Sequence, residues 1–157
     1  MSDADLMAYY LDPLIQIIHI SLSIPRYQTD QLLLANDLRV PSPKLLGIIN
    51  RLEHMQLIVR TKSAIKLLVE SLHLPKESPV YKAWRNQLKL QAMNRLEIVT
   101  DHKAYSFSVV FSGNEAIRKE IQGRFLNLLK GVEKLVGEGP QEDVYQMSFE
   151  LFPWTKI

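Results

Sequence analysis

The sequence predicts an α+β fold, and three observations lead to that prediction. Helical spacing of apolar residues, with N-cap residues and prolines at the expected ends, indicates helices throughout the first 55 residues. Two short apolar runs joined by a tight link come next and indicate a β-hairpin. Near the end of the chain, two runs that alternate apolar and polar residues flank one more amphipathic helix, which is typical of half-buried strands.

Prolines divide the first helical region. Residues 6–23 have helical apolar spacing, and Pro13 either kinks that helix or starts a second one with Asp12 as its N-cap. Pro25 is expected to end the helix, because proline cannot continue the hydrogen-bond ladder. Thr29 is the expected N-cap of the short helix that follows.

A Ser-Pro pair at residues 42–43 predicts the start of a third helix, because serine accepts from free N–H groups and proline tolerates the first helical position. We expect this helix over residues 43–55, with hairpin strands over 57–60 and 65–70. Helix, short helix, turn, helix and hairpin is the order of a winged helix-turn-helix. The sequence therefore predicts a winged-helix domain in residues 1–72.

A second Ser-Pro pair at residues 78–79 predicts a long helix that ends near residue 99. Its apolar residues fall in two stripes, so we expect it to be covered on both sides and to contact a second copy of the chain. The predicted dimer interface consists of Trp84, Leu88 and Met93 on this helix, with Phe149 and Phe152 near the end of the chain.

A strand-helix-strand unit is predicted to follow. The strands are expected over residues 105–111 and 144–152, and Ser112 with Glu115 forms the capping box of the helix between them. A two-stranded sheet with both edges open is marginal, so either the hairpin or a second subunit should extend it, and we expect the second subunit. Residues 73–157 are therefore predicted to form a dimerisation or regulatory domain.

Composition narrows the function classes. The chain of 157 residues has no cysteine, which excludes disulfides and thiolate metal sites and fits a cytoplasmic location. Polar residues interrupt the longest early apolar run, residues 14–24, so neither a signal peptide nor a membrane span is expected. The net charge is only +2, but residues 26–66 contain seven basic and three acidic side chains, and this segment is where an anionic partner is expected.

The third helix has the pattern of a recognition helix. Its apolar residues form one stripe, and the opposite face carries Arg and Asn, whose hydrogen-bonding groups match guanine and adenine edges. Basic residues on the hairpin are the expected phosphate or minor-groove contacts, although they can equally be charges that protect an edge strand. The predicted DNA-binding residues are Lys44, Gly47, Asn50, Arg51 and His54 on the helix, and Arg60, Lys62 and Lys66 on the hairpin.

Catalytic and metal-binding patterns are missing from the sequence. The glycines form no phosphate-binding loop, no Gly-x-Ser-x-Gly elbow occurs, and the four histidines have no partner at ligand spacing. We therefore expect no enzyme activity, no cofactor and no metal. An effector pocket lined by Tyr81, Trp84 and Tyr105 is an alternative to their ordinary role in the core.

The end of the chain, residues 144–156, reads Val-Tyr-Gln-Met-Ser-Phe-Glu-Leu-Phe-Pro-Trp-Thr-Lys. It resembles an uncharacterised bacterial family of proposed transcriptional regulators, whose members end in a similar pattern of Val-Tyr-Gln, then Leu-Phe-Pro, then Thr-Lys. The resemblance implies regulation of transcription. With the charge pattern it leads us to expect a dimeric, DNA-binding regulator; the alternative is a non-enzymatic adaptor that uses the same scaffold to bind a protein partner.

Overall fold

The computed structural model describes residues 2–155, and Lys156 of the closing motif lies outside the described residues. The predicted α+β class is confirmed: the described chain is mostly helical and contains a two-stranded antiparallel sheet. The chain divides into two compact units. The first comprises the residues up to Ile98 with Gln141–Tyr145, and the second comprises Val99–Pro140 with the residues from Gln146 onward.

Six helices and the hairpin build the first unit. The elements are α1 (Asp3–Leu11), α2 (Pro13–Ser21), α3 (Pro25–Thr29), α4 (Gln31–Leu38), α5 (Ser42–His54), β1 (Ile58–Arg60), β2 (Ile65–Leu67) and α6 (Tyr81–Leu96). The strands β1 and β2 pair antiparallel, with Val59 opposite Lys66. The predicted hairpin is therefore confirmed.

The helix ends follow local capping chemistry. Of the two alternatives at Pro13, the second is confirmed, because Asp12 caps α2 and accepts from the Leu14 N–H at 3.1 Å. Pro25 does not end the region but starts the short helix α3, since proline fits a first helical turn.

Three predicted caps are wrong, and in each case a neighbouring residue takes the position. Asp30 caps α4 in place of Thr29. Ser42 is the first residue of α5, and its side chain makes no cap bond. Asn114 rather than Ser112 caps the long helix of the second unit. Asp and Asn are at least as good at this position as Thr and Ser, so residue type alone could not exclude Asp30 and Asn114. In α5 the N-cap position falls on Pro41.

A buried hydrogen-bonded triad holds the core of the first unit together. The Tyr9 hydroxyl and His19 Nδ1 are 2.8 Å apart, and His19 Nε2 lies 2.8 Å from the Val69 carbonyl oxygen. A carbonyl can only accept, so Nε2–H donates to Val69 and Nδ1 accepts from Tyr9. This triad joins α1 and α2 to the chain just beyond β2.

Helix α6 belongs to the first unit, although the sequence analysis divides the domains at residue 72. It packs against α1 and α2 through Trp84, whose ring meets Tyr10 edge to face at 6.0 Å between centroids. The Trp84 indole N–H also donates to Gln16 Oε1 at 3.0 Å. The compact unit therefore extends to Ile98, because a large aromatic of α6 completes its core.

The second unit contains one long helix, α7 (Glu115–Glu138), between two segments that are not paired as strands. The prediction of strands over residues 105–111 and 144–152 is wrong for the single chain, since β1 and β2 form the only sheet in residues 2–155. A strand requires a hydrogen-bonding neighbour, and within the described chain neither segment lies in a ladder. The proposed extension of a sheet by the hairpin is likewise not observed, because the hairpin sheet has two strands.

Adjacent tyrosines of α1 provide a matched test of the core. Tyr9→Phe should lower the free energy of unfolding by about 1–3 kcal/mol, because His19 Nδ1 then stays buried without a donor. Tyr10→Phe should be neutral or stabilising, because the buried Tyr10 hydroxyl has no hydrogen-bond partner among residues 2–155. Urea unfolding of both variants and the wild type measures the difference. Equal losses in the two variants would contradict the assigned bonding.

The titration of His19 should make stability depend on pH. Burial lowers the pKa of His19 below its ordinary value of 6.5. The unfolded chain therefore binds more protons below that pH, so the stability is complete above pH 6.5 and declines as the pH falls toward the lowered pKa. His19→Gln, which retains a donor for Val69, should flatten this decline relative to the wild type. A parallel decline in both proteins, measured by urea unfolding across this pH range, would rule out His19 as its source.

Candidate nucleic-acid interface

Helix α5 has one buried face and one free face. Leu45, Ile48, Ile49 and Leu52 are buried and pack toward α2, α4 and β1. These four residues form the inward apolar stripe that the sequence predicts. Because they face the core, the residues on the opposite side of α5 point away from it.

The five predicted helix positions all lie on the free face. Gly47, Asn50 and His54 follow its centre line, because steps of three and four residues return to one side of a helix. Lys44 and Arg51 are seven residues apart and lie along one flank of that line. All five residues are exposed: Lys44, Gly47, Asn50, Arg51 and His54.

An ion pair joins the other flank of α5 to the hairpin. The Arg60 guanidinium donates to Glu53, through Nε to Oε2 at 2.8 Å and through Nη2 to the same oxygen, and the Arg60 backbone N–H donates to Oε1 at 3.2 Å. The Arg60 guanidinium lowers the pKa of Glu53 below its ordinary value. The structure thus places Arg60 in a clamp between strand and helix, whereas Lys62 and Lys66 stay exposed on the hairpin.

The electrostatic balance of this surface follows from that clamp. Arg60 neutralises Glu53, the acidic residue of α5. Lys44, Arg51, Lys62 and Lys66 form no ion pair within residues 2–155. Four exposed cations therefore lie on the free flank of α5 and on the hairpin.

The turn before α5 is held from two sides, and the sequence analysis did not identify the residues that hold it. Arg39 ends α4 in the left-handed region at φ 55°. Arg95 of α6 donates to the carbonyl oxygens of Asp37 at 3.0 Å and Leu38 at 3.4 Å, which are free acceptors at a helix C-terminus. A lone arginine late in a helix gives no sequence signal for a contact 57 residues away.

The side chain of Asp37 anchors the same turn from the α3 side. The Tyr27 hydroxyl donates to Asp37 Oδ2 at 2.7 Å. Arg26 Nη2 donates to the Tyr27 hydroxyl at 2.9 Å and to Asp143 Oδ1 at 2.7 Å. Through this chain of bonds the turn before α5 is connected to the Gln141–Tyr145 segment of the same unit.

A shallow apolar groove of about 240 Å³ lies beside the clamp. Leu32 of α4 and Leu46 of α5 are more than half exposed at its rim, and Ile49 and Ile65 form its floor. Because Leu46 is next to the free face of α5, this groove belongs to the same exposed surface.

The predicted dimer-interface residues are distributed over both units. Trp84 is already packed in the core of its own chain, as described above, and Leu88 is half-buried. Met93 is exposed on α6. Phe149 stacks on Phe125 of α7 at 4.0 Å between centroids, and Phe152 packs edge to face on Trp154 at 5.4 Å.

Fold and surface together describe an α+β protein that presents one basic helix face beside a small hairpin. The chain belongs to the family described as a domain of unknown function (DUF4423), whose model matches residues 2–154. No curated protein and no solved structure matches the chain. Within the described residues, no helix is long and apolar enough to cross a membrane, and no three His, Cys, Asp or Glu side chains come together as a metal site.

Substitution of Gly47 tests whether the fold of the chain requires glycine on the free face of α5. A Cβ at Gly47 would have nothing within 4 Å, so the fold of the chain does not require glycine there. Gly47→Ala should therefore raise the free energy of unfolding by about 0.5–1 kcal/mol, because alanine is the better helix former. Thermal or urea unfolding measures this. A destabilised variant would show that the helix backbone at this position is constrained from within the chain.

Proposed function

We propose that this chain is a non-enzymatic transcription regulator that binds DNA as a dimer, with α5 in a major groove and the β1–β2 hairpin beside the phosphate backbone. In this proposal the first unit is a winged helix-turn-helix: α4 and α5 are its two helices and the hairpin is its wing. The observation that carries the proposal is the free face of α5. It presents exposed polar groups flanked by cations, and the buried apolar stripe lies on the opposite side of the helix.

Each group on that face has a distinct role in the proposal. Arg51 would donate to guanine and Asn50 to adenine, since these side chains match the hydrogen-bonding pattern of those base edges. Lys44 on the helix flank, with Lys62 and Lys66 on the hairpin, would contact phosphates and set the position of the helix. Gly47 would allow the helix to approach the DNA closely.

The Glu53–Arg60 clamp supports the same proposal in two ways. It neutralises a carboxylate that would otherwise repel phosphates close to the groove. It also connects the hairpin to the end of α5, so that the base-reading and phosphate-contacting groups would approach DNA together.

A second candidate function rests on the groove between Leu32 and Leu46. An adaptor would receive an apolar side chain of a protein partner there, because exposed leucines around a shallow apolar groove are typical of protein interfaces. The two functions use neighbouring parts of one surface and differ in how strongly they depend on salt. Apolar docking depends weakly on salt, whereas phosphate contacts weaken steeply.

DNA binding should show this salt dependence. If Lys44, Lys62 and Lys66 each neutralise one phosphate, the log-log slope of affinity against salt should be about −2.7 per subunit. Arg51→Ala should weaken binding to the preferred sequence by about 1–3 kcal/mol and reduce discrimination, whereas Lys62→Ala should weaken all sequences alike. Fluorescence anisotropy with promoter DNA from its own gene measures both.

Two controls complete this experiment. Lys82→Ala removes an exposed charge from α6, away from the proposed interface, and should leave the affinity unchanged. Gly47→Ala should weaken DNA binding although it stabilises the fold, which separates binding from folding. Absence of binding at low salt, or binding without a salt slope, would reject the DNA function. The adaptor would be favoured if the chain forms a salt-insensitive complex with a protein and Leu46→Ser loses that complex.

A further inference from the structure

The second unit does not bury a core of its own. No residue in positions 99–155 is buried, whereas the first unit has a large apolar cluster that includes Ile15, Leu34 and Leu52. A helix of 24 residues with long apolar flanking segments cannot be stable in water in this state, because folding requires enough buried apolar surface to offset the loss of conformational entropy.

Helix α7 shows where the missing contact lies. One side of its apolar stripe is covered, since Phe149 stacks on Phe125. On the other side, Ile117, Leu128 and Leu135 are 46%, 58% and 72% exposed. Spacings of eleven and seven residues place these three side chains on one line along the helix. We call this line, Ile117–Leu128–Leu135, the α7 seam.

The flanking segments add a large apolar surface. Six aromatic residues of this unit are between 42% and 92% exposed: Tyr105, Phe107, Phe111, Phe149, Phe152 and Trp154. With about 200 Å² for each fully exposed aromatic residue, these rings alone present on the order of 800 Å². That is about the area that each partner buries in a standard protein interface, before the seam is included.

Charge indicates what kind of partner fits. Residues 104–113 contain no charged side chain, and Glu150 is the single one in residues 146–155. A nucleic acid or a strongly charged protein would require opposite charges here, whereas a second copy of an uncharged segment meets no repulsion. The alternating pattern also needs backbone partners, which the same segment of another copy supplies when it pairs as a strand.

We infer that residues 99–140 and 146–155 form a dimerisation unit whose core is completed by the same unit of a second copy, through the α7 seam and strand pairing of the flanking segments. The inference identifies the dimer surface of the proposed function and in that sense rests on it. It assigns the interface to α7 and to segments near Tyr105 and Phe149, rather than to Trp84 of α6. Such an interface is apolar and obligate, because neither copy of this unit has a core without the other.

Analytical ultracentrifugation of the full chain, without DNA, tests this inference. We expect a dimer at tens of micromolar. Leu128→Glu, in the seam, should raise the dimer dissociation constant at least about a hundredfold, because it places an unpaired charge in an apolar contact. Leu126→Glu is the matched control: Leu126 is 48% exposed on the opposite side of α7, and this variant should remain dimeric.

Hydrogen exchange of the wild type at several concentrations provides a second readout. The amides of residues 105–111 should be protected where the dimer is populated and should lose protection on dilution, while the α2 amides around His19 stay protected. Any of three results would overturn the inference. The wild type could be monomeric at tens of micromolar, the two glutamate variants could have equal effects, or residues 105–111 could be protected in a monomer. Because no DNA is present, failure here leaves the proposed DNA binding untouched, and a dimer that binds no DNA rejects only that function.

Discussion

The hydrogen bond from His19 to the Val69 carbonyl is the constraint on which the arrangement of the first unit depends. It joins the middle of α2 to the chain beyond the hairpin, so the hairpin cannot leave the helical core without depriving the buried His19 Nε2–H of its acceptor. The apolar stripe of α5 then packs between α2, α4 and β1. Once these contacts are made, the opposite face of α5 is left exposed, so the free surface is a direct consequence of the core.

Two polar contacts then orient that surface. Arg60 joins the hairpin to Glu53 at the end of α5, and Arg95 holds the carbonyls of the turn before α5. The turn is also tied to Asp143 through Tyr27 and Arg26. Any movement of α6 or of the Gln141–Tyr145 segment therefore changes the bonds to Asp37 and Leu38, where the turn begins. These bonds give a physical route to the helix that we propose reads DNA.

Local signals predicted the parts of the fold that depend on local physics. The period of α5 and the hairpin at β1 and β2 follow from spacing alone, so they could be read directly from the residues. At Pro13 the residues left a kink and a second helix as alternatives. Contacts distant in sequence could not: the Arg95 bonds to α4 and the insertion of Trp84 beside Tyr10 carry no local pattern. The strand predictions failed for a different reason. Alternation shows that a segment can form a half-buried strand, but it carries no information about which segment would pair with it.

A photo-crosslinker on the free face of α5 tests whether that face contacts DNA. Replacing Asn50 with p-benzoylphenylalanine places the reactive group on the centre line of the face, and the same replacement of the exposed Asn86 on α6 is the control. After irradiation of living cells, we expect a DNA adduct at position 50 and none at position 86. In a lysate, high salt added before irradiation should abolish the adduct at position 50. An adduct at position 50 that contains protein and no DNA would contradict the proposal that this face contacts DNA.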